Sequence, residues 1–260
     1  MNLLNSDYFR SFSRKITKKL HFLPGEVSHR IALASLKALH TANLIESKGQ
    51  ISKEIEFLSY SLKNKVGLAA GLDKNGDYID CLASLGFGFI EVGTVTPKAQ
   101  KGNPKPRLFR VEGQKSLINR LGFNNKGVSY LVKNIKKSKT DSVIGVSIGK
   151  NANTPIHKAV DDYIFCFNEV YKVADYVAVN ISSPNTKGLR RLESKKYFSN
   201  LLKELKENQF KLSKSFGYTP LVIKISPDLN KIQLEDLALE IIDKEIDGLI
   251  CSNTTVNHNN

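Results

Sequence analysis

The apolar positions of the first 48 residues follow helical spacing in two segments, which Pro24 and Gly25 separate. In residues 6–23 the apolar and the cationic side chains fall on different faces of the predicted helix. The main apolar positions of the two segments are Phe9, Phe12, Ile16 and Leu20, then Val27, Ile31, Ala34, Ala38 and Ile45. The pattern predicts a helical hairpin that covers its own domain, a membrane surface or a hydrophobic ligand, and periodicity alone does not choose among them.

Beyond about Gly49 the pattern changes to short apolar runs that alternate with helix-length segments. The predicted strands are residues 66–70, 89–92, 143–148, 176–180, 221–225 and 248–252, and the predicted helices include residues 74–85, 163–173, 195–212 and 233–244. Strands that are apolar on both faces and alternate with helices indicate a parallel sheet covered by helices. Polar or glycine-rich residues follow each strand, which favours a TIM (β/α)8 barrel over a doubly wound sheet with one switch point.

The predicted strands are fewer than a closed barrel requires, since six βα units are present where eight are needed. We therefore expect a helical hairpin in residues 1–48 and about six units of the barrel in residues 49–260. About two more units, roughly 75 residues, are expected to complete such a barrel.

Composition and charge exclude some classes of protein. Hydrophobic residues make up 41% of the chain and charged residues 25%, and no apolar run is long enough for a transmembrane helix. The three cysteines, Cys81, Cys166 and Cys251, lie far apart, which argues against a disulfide framework or a zinc site. The formal charge of +14 fits nucleic acid, an anionic membrane, an anionic ligand or scattered surface lysines, and does not decide among them.

Cations and amides collect at the predicted carboxyl ends of the strands. They are Lys74, Lys150 and Lys224, with Asn119, Asn180, Asn185 and Asn253, and the hydroxyl of Ser183. At any single position a turn-forming asparagine or a solvated lysine explains the residue equally well, but the conjunction at five strand ends favours a site. Amides that donate and accept, together with a cation, fit a planar heterocycle carrying a carboxylate. A serine without a histidine nearby in sequence suggests proton abstraction rather than acyl transfer.

Six sequence segments carry a family resemblance. They are AAGLDKNG at 69–76, EVGTVTP at 91–97, PRLFR at 106–110, INRLGFNN at 118–125, NISSPNT at 180–186 and SNTT at 252–255. In this order they resemble the class 2, quinone-dependent dihydroorotate dehydrogenases, and the similarity extends over essentially the whole chain. The resemblance implies oxidation of (S)-dihydroorotate to orotate in pyrimidine (UMP) biosynthesis, with FMN as hydride acceptor and a ubiquinone-type quinone as final electron acceptor.

The resemblance also implies roles for individual residues. Ser183 matches the general base, and Thr186 and the ring of Phe123 match positions linked to its proton relay. Lys74 would pair with the substrate carboxylate. The remaining residues expected at the substrate are Asn119, Arg120, Leu121, Gly122, Asn180, Asn185, Asn253 and Thr254.

For the flavin, Lys224 would place positive charge beside the N1–C2 edge, where negative charge accumulates on reduction. The other expected FMN contacts are Ala70, Gly71, Leu72, Asp73, Lys74, Thr94, Ser147, Asn180 and Ser252. Ser147 and Ser252 stand where the family usually has asparagine and threonine, and the family's grip on the FMN phosphate is expected in the two further units. His29 and Arg110 match positions near the quinone tunnel. No metal site is expected.

The expected setting is peripheral, with the hairpin against the cytoplasmic face of the cell inner membrane, as a monomer that binds no nucleic acid. Two alternatives remain. In the first, the chain is an inactive fragment that binds no flavin. In the second, it is an RNA-modifying flavin barrel of the dihydrouridine synthase type, which the basic charge would suit. The second alternative requires a catalytic cysteine, and no cysteine occupies the Ser183 loop.

Overall fold

The computed structural model describes residues 19–45, 55–111 and 113–257. Its strands are β1 (Ile55–Phe57), β2 (Tyr60–Leu62), β3 (Gly67–Leu68), β4 (Phe89–Val95), β5 (Leu108–Val111), β6 (Ser116–Asn119), β7 (Val143–Ile148), β8 (Tyr176–Asn180), β9 (Leu221–Lys224) and β10 (Gly248–Ile250). Its helices are α1 (Gly25–Thr41), α2 (Ile79–Ala83), α3 (Val128–Ile135), α4 (Ala159–Val170), α5 (Lys195–Phe216) and α6 (Lys231–Asp243), with 3-10 turns at Ile156–Lys158 and Leu189–Glu193. No helix within these described ranges is both long and apolar enough to cross a membrane.

Six strands form one parallel sheet in the order β10-β9-β8-β7-β4-β3. Neighbouring strands follow one another along the chain apart from the β5–β6 insertion, and helices connect most of them. This is the curled sheet of a partial (β/α) barrel, so the predicted fold class is confirmed. All six predicted parallel strands are present. β3, β9 and β10 are shorter than predicted, and β4 extends three residues further, to Val95.

Side chains alternate strictly between the two faces of the sheet. On β8, Val177 and Val179 point outward into the main core beneath the helices. The alternate positions, Tyr176 and Ala178, point inward and join a smaller apolar cluster with Val222 of β9. Asn180 and Lys224 continue the inward series at the carboxyl ends, so the same faces that are apolar at one end become polar at the other.

An antiparallel hairpin, β1–β2, closes the amino end of the sheet. Leu62 belongs to the inner apolar cluster, and Phe57 stacks on Phe89 at the start of β4 with ring centroids 5.6 Å apart. The hairpin therefore seals the amino end with apolar and aromatic contacts. The sequence pattern did not predict it, nor the β5–β6 hairpin or helix α3.

The predicted helix at residues 74–85 is wrong over its first half, since only Ile79–Ala83 is helical. The Asp73 carboxylate accepts hydrogen bonds from the backbone N–H groups of Asn75, Asp77 and Tyr78, at 3.3, 3.0 and 2.7 Å. A side chain that binds the backbone in this way competes with the helix. Gly76, with φ +68°, lies in a left-handed conformation that an α-helix does not permit.

The other predicted helices are present with shifted ends. The helix predicted at residues 233–244 begins at Lys231, because Asn230 forms a capping box with Gln233. Of the predicted N-terminal hairpin, the second helix is α1, whereas residues 6–18 lie outside the described part of the chain.

Candidate active site at the carboxyl ends of the strands

One cavity of about 2080 Å³ lies between the carboxyl ends of the parallel strands and helix α1. Its two walls differ in character. The wall on the α1 side is mostly apolar, and includes Leu20, Ile31, Leu33, Leu36, Leu39 and Ile45. The wall formed by the strand ends and the loops beside them is polar, and includes Lys74, Thr94, Asn119, Asn180, Ser183, Asn185, Lys224 and Asn253. The cavity could therefore accept a polar ring at one end and an apolar molecule at the other.

A buried chain of hydrogen bonds ties the tips of β4, β7 and β8 together. Asn180 Nδ2 donates to Thr94 Oγ1 at 2.9 Å, and Thr94 Oγ1 lies 2.8 Å from Ser147 Oγ. Tyr163 Oη of α4 donates to the Asn180 carbonyl oxygen at 2.8 Å from the outer side of the sheet. Thr94 and Asn180 are thus held with little freedom, which fits side chains that must meet a rigid planar ligand.

Amides from neighbouring segments extend this arrangement. Asn253 Nδ2 donates to Ser182 Oγ at 3.0 Å, and Ser182 Oγ donates to Asn180 Oδ1 at 3.1 Å. We call the polar end of the cavity, at the strand ends, the mouth. On its other side, Asn185 Nδ2 donates to Asn119 Oδ1 at 3.1 Å. The four asparagines predicted at the site therefore converge on one mouth, although they come from three separate parts of the chain, the end of β6, the end of β8 with the loop after it, and the segment after β10.

Ser183 and Thr186 lie in the loop after β8, and both are buried. Ser183 Oγ accepts a hydrogen bond from the Asn185 backbone N–H at 3.3 Å. Thr186 Oγ1 is buried and has no hydrogen-bond partner within the described residues. A buried hydroxyl without a partner is unfavourable, so this atom calls for a bound water or ligand group, which is what a proton relay would supply.

Phe123 has a left-handed backbone, with φ +52°. Asn125 and Gln100 hold it there, since Asn125 Nδ2 and Gln100 Nε2 donate to the Phe123 carbonyl oxygen at 2.7 and 3.2 Å. The ring packs over Gly149, where an added Cβ would lie 2.9 Å from Phe123 Cε2. The strained residue is therefore fixed by its surroundings, as is common for residues with a functional role.

Two lysines bring positive charge into the cavity. Burial lowers the pKa of Lys74 to about 8, and the nearby cations Arg107 and Lys224 add to this effect. Lys74 Nζ donates to the Gly71 carbonyl oxygen at 2.9 Å. Lys224 is buried at the tip of β9, and no carboxylate forms an ion pair with it in the described ranges. Such cations attract an anionic or electron-rich ligand.

Beneath Lys224, the carboxyl of Glu91 is buried inside the sheet. Burial raises the pKa of Glu91, opposed by the charge of Lys224 and by a hydrogen bond from Tyr176 Oη to Glu91 Oε2 at 3.0 Å. The charges of Glu91 and Lys224 therefore interact within the barrel interior, next to the base of the cavity.

Helix α1 is attached to the rest of the fold by polar contacts. Arg107 forms a bidentate pair with Glu26, with Arg107 Nη2 at 2.8 Å and Nε at 3.2 Å from Glu26 Oε1. The Arg107 hydrogen bond lowers the pKa of Glu26. His29 Nε2 lies 2.8 Å from the Leu72 carbonyl oxygen. These contacts fix α1 as the roof of the cavity.

Arg110 makes a further contact of this kind, because it donates to the Leu23 carbonyl oxygen at 2.7 Å and to Ser28 Oγ at 3.0 Å. The two residues predicted near a quinone, His29 and Arg110, therefore both line the cavity and both bind the helical segment that roofs it.

Most of the other predicted site residues also line this cavity. They are Ala70, Gly71, Leu72, Asp73, Leu121, Gly122, Phe123, Ser252 and Thr254. The exceptions are Arg120, Ser147 and Thr186. Arg120 is exposed at a neighbouring cleft of about 1470 Å³, whereas Ser147 and Thr186 are buried behind the lining. The carboxylate of Asp73 is used by its own loop, as described above.

Lys150, which the strand-end pattern also marked, does not reach the cavity. Its ammonium is buried and donates to the carbonyl oxygens of Asn151 and Thr154 at 3.0 and 2.9 Å. Four residues of the site were missed by the sequence analysis. Asn125, Gln100 and Tyr163 hold other site residues from behind the lining, whereas Arg107 lines the cavity and is paired with Glu26. The only signal for them was that Arg107 and Asn125 lie inside the family motifs.

Other chemistry finds little support among the described residues. No group of three or more histidine, cysteine, aspartate or glutamate side chains could hold a metal ion in that part of the chain. Cys81 and Cys166 are buried in helices α2 and α4, and Cys251 is exposed just after β10. None of these thiols lies in the Ser183 loop.

Comparisons with known proteins agree with this geometry. Residues 52–260 match the family model described as dihydroorotate dehydrogenase. The chain is 50% identical over 238 residues to a protein named dihydroorotate dehydrogenase (quinone) from Neisseria meningitidis serogroup A, covering 91% of this chain and 71% of that protein. A protein of the same name from Psychrobacter arcticus is 50% identical over 233 residues, which cover 89% of this chain and 68% of that protein.

A solved structure is also similar, namely DHODH from Eimeria tenella in complex with ferulenol. The TM-score is 0.81 and the sequence identity 33%, with 90% of this chain and 67% of that chain covered. The ligand-free form of the same protein gives a TM-score of 0.78. The chain therefore spans about 70% of the length of the bacterial relatives and about two thirds of this neighbour.

Proposed function

The chain belongs to the dihydroorotate dehydrogenase family, and from that premise we propose that it oxidises (S)-dihydroorotate to orotate in pyrimidine biosynthesis and passes the electrons to a quinone. The observation that carries this proposal is the continuity of the cavity, in which a polar mouth at the strand ends continues into an apolar space beneath α1. A small polar substrate and a hydrophobic electron acceptor need such different surroundings, connected through one redox group.

The family depends on a flavin, and we propose FMN as the flavin of this chain. The donor set supports that choice. Lys224 contributes a buried cation, Thr94 and Asn180 contribute a hydroxyl and an amide, and Gly71, with φ +117°, lets the backbone turn at the tip of β3. These groups suit the pyrimidine edge of an isoalloxazine ring, with Lys224 stabilising the charge gained on reduction. Bound FMN would supply the hydride acceptor for dihydroorotate and the two-electron donor for the quinone.

The substrate end of the mouth would hold the pyrimidine by its polar groups. Lys74 would bind the carboxylate, with Asn119, Asn180, Asn185 and Asn253 on the ring edge and Thr254 nearby. A site built to satisfy these groups rejects analogues that lack them, because its own buried amides would lose their partners. The hydrogen bonds that already join the asparagines orient them before the substrate arrives.

Ser183 would remove the proton from C5 of dihydroorotate. A free hydroxyl is a weak base, so its own proton has to leave as the C5 proton is taken. Thr186 Oγ1, in the same loop, is the candidate for that relay, and its lack of a hydrogen-bond partner within the described residues supports a bridging water between the two hydroxyls. The ring of Phe123 would shield this path from bulk solvent.

Helix α1 would admit the quinone on the other side. The apolar wall that it contributes, with His29 and Arg110 at its polar border, supports a tunnel for a ubiquinone-type molecule. We also propose that this end touches the membrane, peripherally and at the cytoplasmic face of the inner membrane. Phe22, 89% exposed, and Ile31, 42% exposed, support that contact. We propose further that the protein is a monomer and that its N-terminal hairpin ends at residue 48.

The experiment is a test of both half-reactions with the purified protein reconstituted with FMN. Orotate formation is followed with decylubiquinone, fumarate or NAD+ as the acceptor. We expect orotate with decylubiquinone alone, and loss of that activity in Ser183→Ala with orotate binding retained. Orotate production with fumarate or NAD+ but not with the quinone would refute the assignment of the acceptor. Absence of orotate with every acceptor, despite bound FMN, would refute the reaction itself.

A further inference from the structure

Arg190 connects the loops that follow three neighbouring strands. It lies in the short 3-10 turn Leu189–Glu193, a few residues after Ser183. Its Nε donates to the Ser182 carbonyl oxygen at 3.0 Å, after β8. Its Nη1 donates to Asp228 Oδ2 at 2.7 Å, after β9, and its Nη2 donates to the Thr254 carbonyl oxygen at 3.1 Å, after β10. One guanidinium therefore binds three segments of the mouth at once.

Asp228 holds that guanidinium in place from the opposite side. Its carboxylate also accepts hydrogen bonds from the Thr255 hydroxyl and from the Val256 backbone N–H, the latter at 3.0 Å. Burial acts to raise the pKa of Asp228, but the hydrogen bonds from Thr255, Val256 and Arg190 outweigh it and lower that pKa. The ion pair is therefore built into a network rather than resting loosely on the surface.

The same 3-10 turn makes a second contact with the β9 loop. Glu193, at the end of the turn, accepts a hydrogen bond from the Ser226 backbone N–H at 2.7 Å. Arg190 and Glu193 thus hold the β9 loop by a side chain and by the backbone. The turn that follows the Ser183 loop is consequently locked to the rest of the mouth.

We propose that Arg190, held by Asp228, is a positioning residue that sets the Ser182–Ser183 peptide against the segment carrying Asn253 and Thr254. This inference rests on the function proposed above. Arg190 does not line the cavity, so it acts through the loops and not on the substrate. The Ser182 carbonyl that it binds belongs to the peptide unit directly before Ser183. Rotation of that peptide would swing Ser183 Oγ away from the substrate carbon.

The chemistry of arginine suits this task. Its planar fork carries five N–H donors in a fixed geometry, so three acceptors in different directions can be held together. A lysine ammonium could still pair with Asp228, but it would not reproduce the three directed contacts. A base misplaced by about 1 Å loses on the order of 100-fold in rate even when binding of the substrate survives.

The test compares Arg190→Met with Arg190→Lys and with Arg191→Met. Arg191 is a matched control, because its side chain is exposed, lies over the Tyr197 ring and makes no hydrogen bond or ion pair within the described residues. We expect Arg190→Met to lower kcat roughly 100-fold. Its orotate Kd and dihydroorotate KM should change much less, by at most about tenfold, because Lys74 and Asn119 keep substrate contacts that do not depend on Arg190. Arg190→Lys should recover part of kcat, and Arg191→Met should match the unaltered protein.

Two further readouts separate positioning from loss of structure. The deuterium isotope effect on dihydroorotate labelled at C5 should rise in Arg190→Met, since proton abstraction becomes slower relative to the other steps. Hydrogen exchange should speed up in residues 182–186 and 253–256 and leave the strands unchanged. Equal losses of kcat and of orotate affinity, or faster exchange throughout the sheet, would overturn the proposal.

The exchange measurement also separates this inference from the proposed function. If the unaltered protein makes no orotate but Arg190→Met still speeds up exchange selectively in both loops, the proposed reaction is wrong and the positioning role of Arg190 stands. If the unaltered protein is active and Arg190→Met keeps its kcat and isotope effect, the inference is wrong and the reaction stands. If exchange in both loops is the same in Arg190→Met as in the unaltered protein, Arg190 does not hold the loops, whether or not the protein is active.

Discussion

The two ends of the same strands are built on opposite principles. At the amino end, Tyr176 of β8 and Val222 of β9 belong to a dry apolar cluster that the β1–β2 hairpin closes. A few residues further along, the same inward faces carry Asn180 and Lys224, which border a large cavity. The amino end gains stability by close packing, whereas the carboxyl end holds Lys74 and Lys224 without an ion pair among the described residues, so that a ligand can supply the opposite charge.

This difference predicts that substitutions at the two ends affect different properties of the protein. A substitution at the closed end should lower the free energy of unfolding and leave the chemistry of folded molecules intact. A substitution at the open end should impair catalysis without lowering the free energy of unfolding, because the buried cations there are already unfavourable to the fold. Variants at each end can test that separation.

The largest effect is expected for Lys74→Met at the open end. Loss of the cation that would bind the substrate carboxylate should lower kcat/KM by roughly 10²- to 10³-fold, or about 3–4 kcal/mol. The free energy of unfolding should stay the same or rise, because burial disfavours the charged amine and lowers its pKa to about 8. Steady-state kinetics and urea unfolding measure the two quantities, and Lys133→Met on the exposed side of α3 is the control.

The same lysine predicts a pH dependence. Below pH 8 the amine is protonated and binds the carboxylate, and as the pH rises through about 8 the charge is lost. Orotate affinity should therefore weaken above pH 8 in the unaltered protein and be flat in Lys74→Met. An unchanged orotate Kd up to pH 9 would contradict a Lys74 of lowered pKa that binds the carboxylate.

At the closed end, Gly145→Ala should act on stability. An added Cβ at Gly145 would lie 2.0 Å from Tyr176 Cζ, so the inner cluster would have to shift. Overpacking of this kind costs about 3 kcal/mol. The midpoint of urea unfolding should fall, and the double variant with Tyr176→Leu should recover part of the loss. Activity per folded molecule should be retained, and a stability equal to that of the unaltered protein would contradict the tight packing of this end.

Glu193 allows the cost of a buried charge at the open end to be measured. Burial raises its pKa to about 7 from the ordinary value of 4.5. The folded protein therefore binds more protons than the unfolded chain between these values, and stability falls as the pH rises from about 5 to 8. Glu193→Gln should lack this decline, which amounts to at most about 3 kcal/mol. Parallel pH dependences of unfolding in the two proteins would contradict the raised pKa.

The smallest effect is expected for Ser147→Ala. This change removes the hydrogen bond to Thr94, which in turn receives one from Asn180. Loss of one such bond costs about 1 kcal/mol, so FMN affinity should weaken roughly fivefold with little effect on the orotate site. Fluorescence titration with FMN measures it, and Ser129→Ala on exposed α3 is the control. A loss as large as that of Lys74→Met would place Ser147 in direct contact with a ligand.

Much of the fold followed from the chain alone, because long apolar runs bounded by polar turns leave few alternatives. The runs at residues 143–148 and 176–180 became β7 and β8 without change of bounds. The β1–β2 and β5–β6 hairpins escaped prediction, since strands of three or four residues carry almost no periodic signal. The prediction of a helix at residues 74–85 was wrong over its first half, because the Asp73 carboxylate binds backbone N–H groups of that segment and competes with helix formation.

The parallel sheet, the family and the polar residues at the strand ends can be read from the linear sequence, because they depend on local periodicity and on contiguous motifs. The folded structure was needed to show which polar groups share a mouth, that Lys150 and Arg120 lie outside it, and that Arg190 joins three of its loops. Such contacts join residues up to 86 positions apart, as Asn180 and Thr94 are, and their geometry exists only once the sheet has curled.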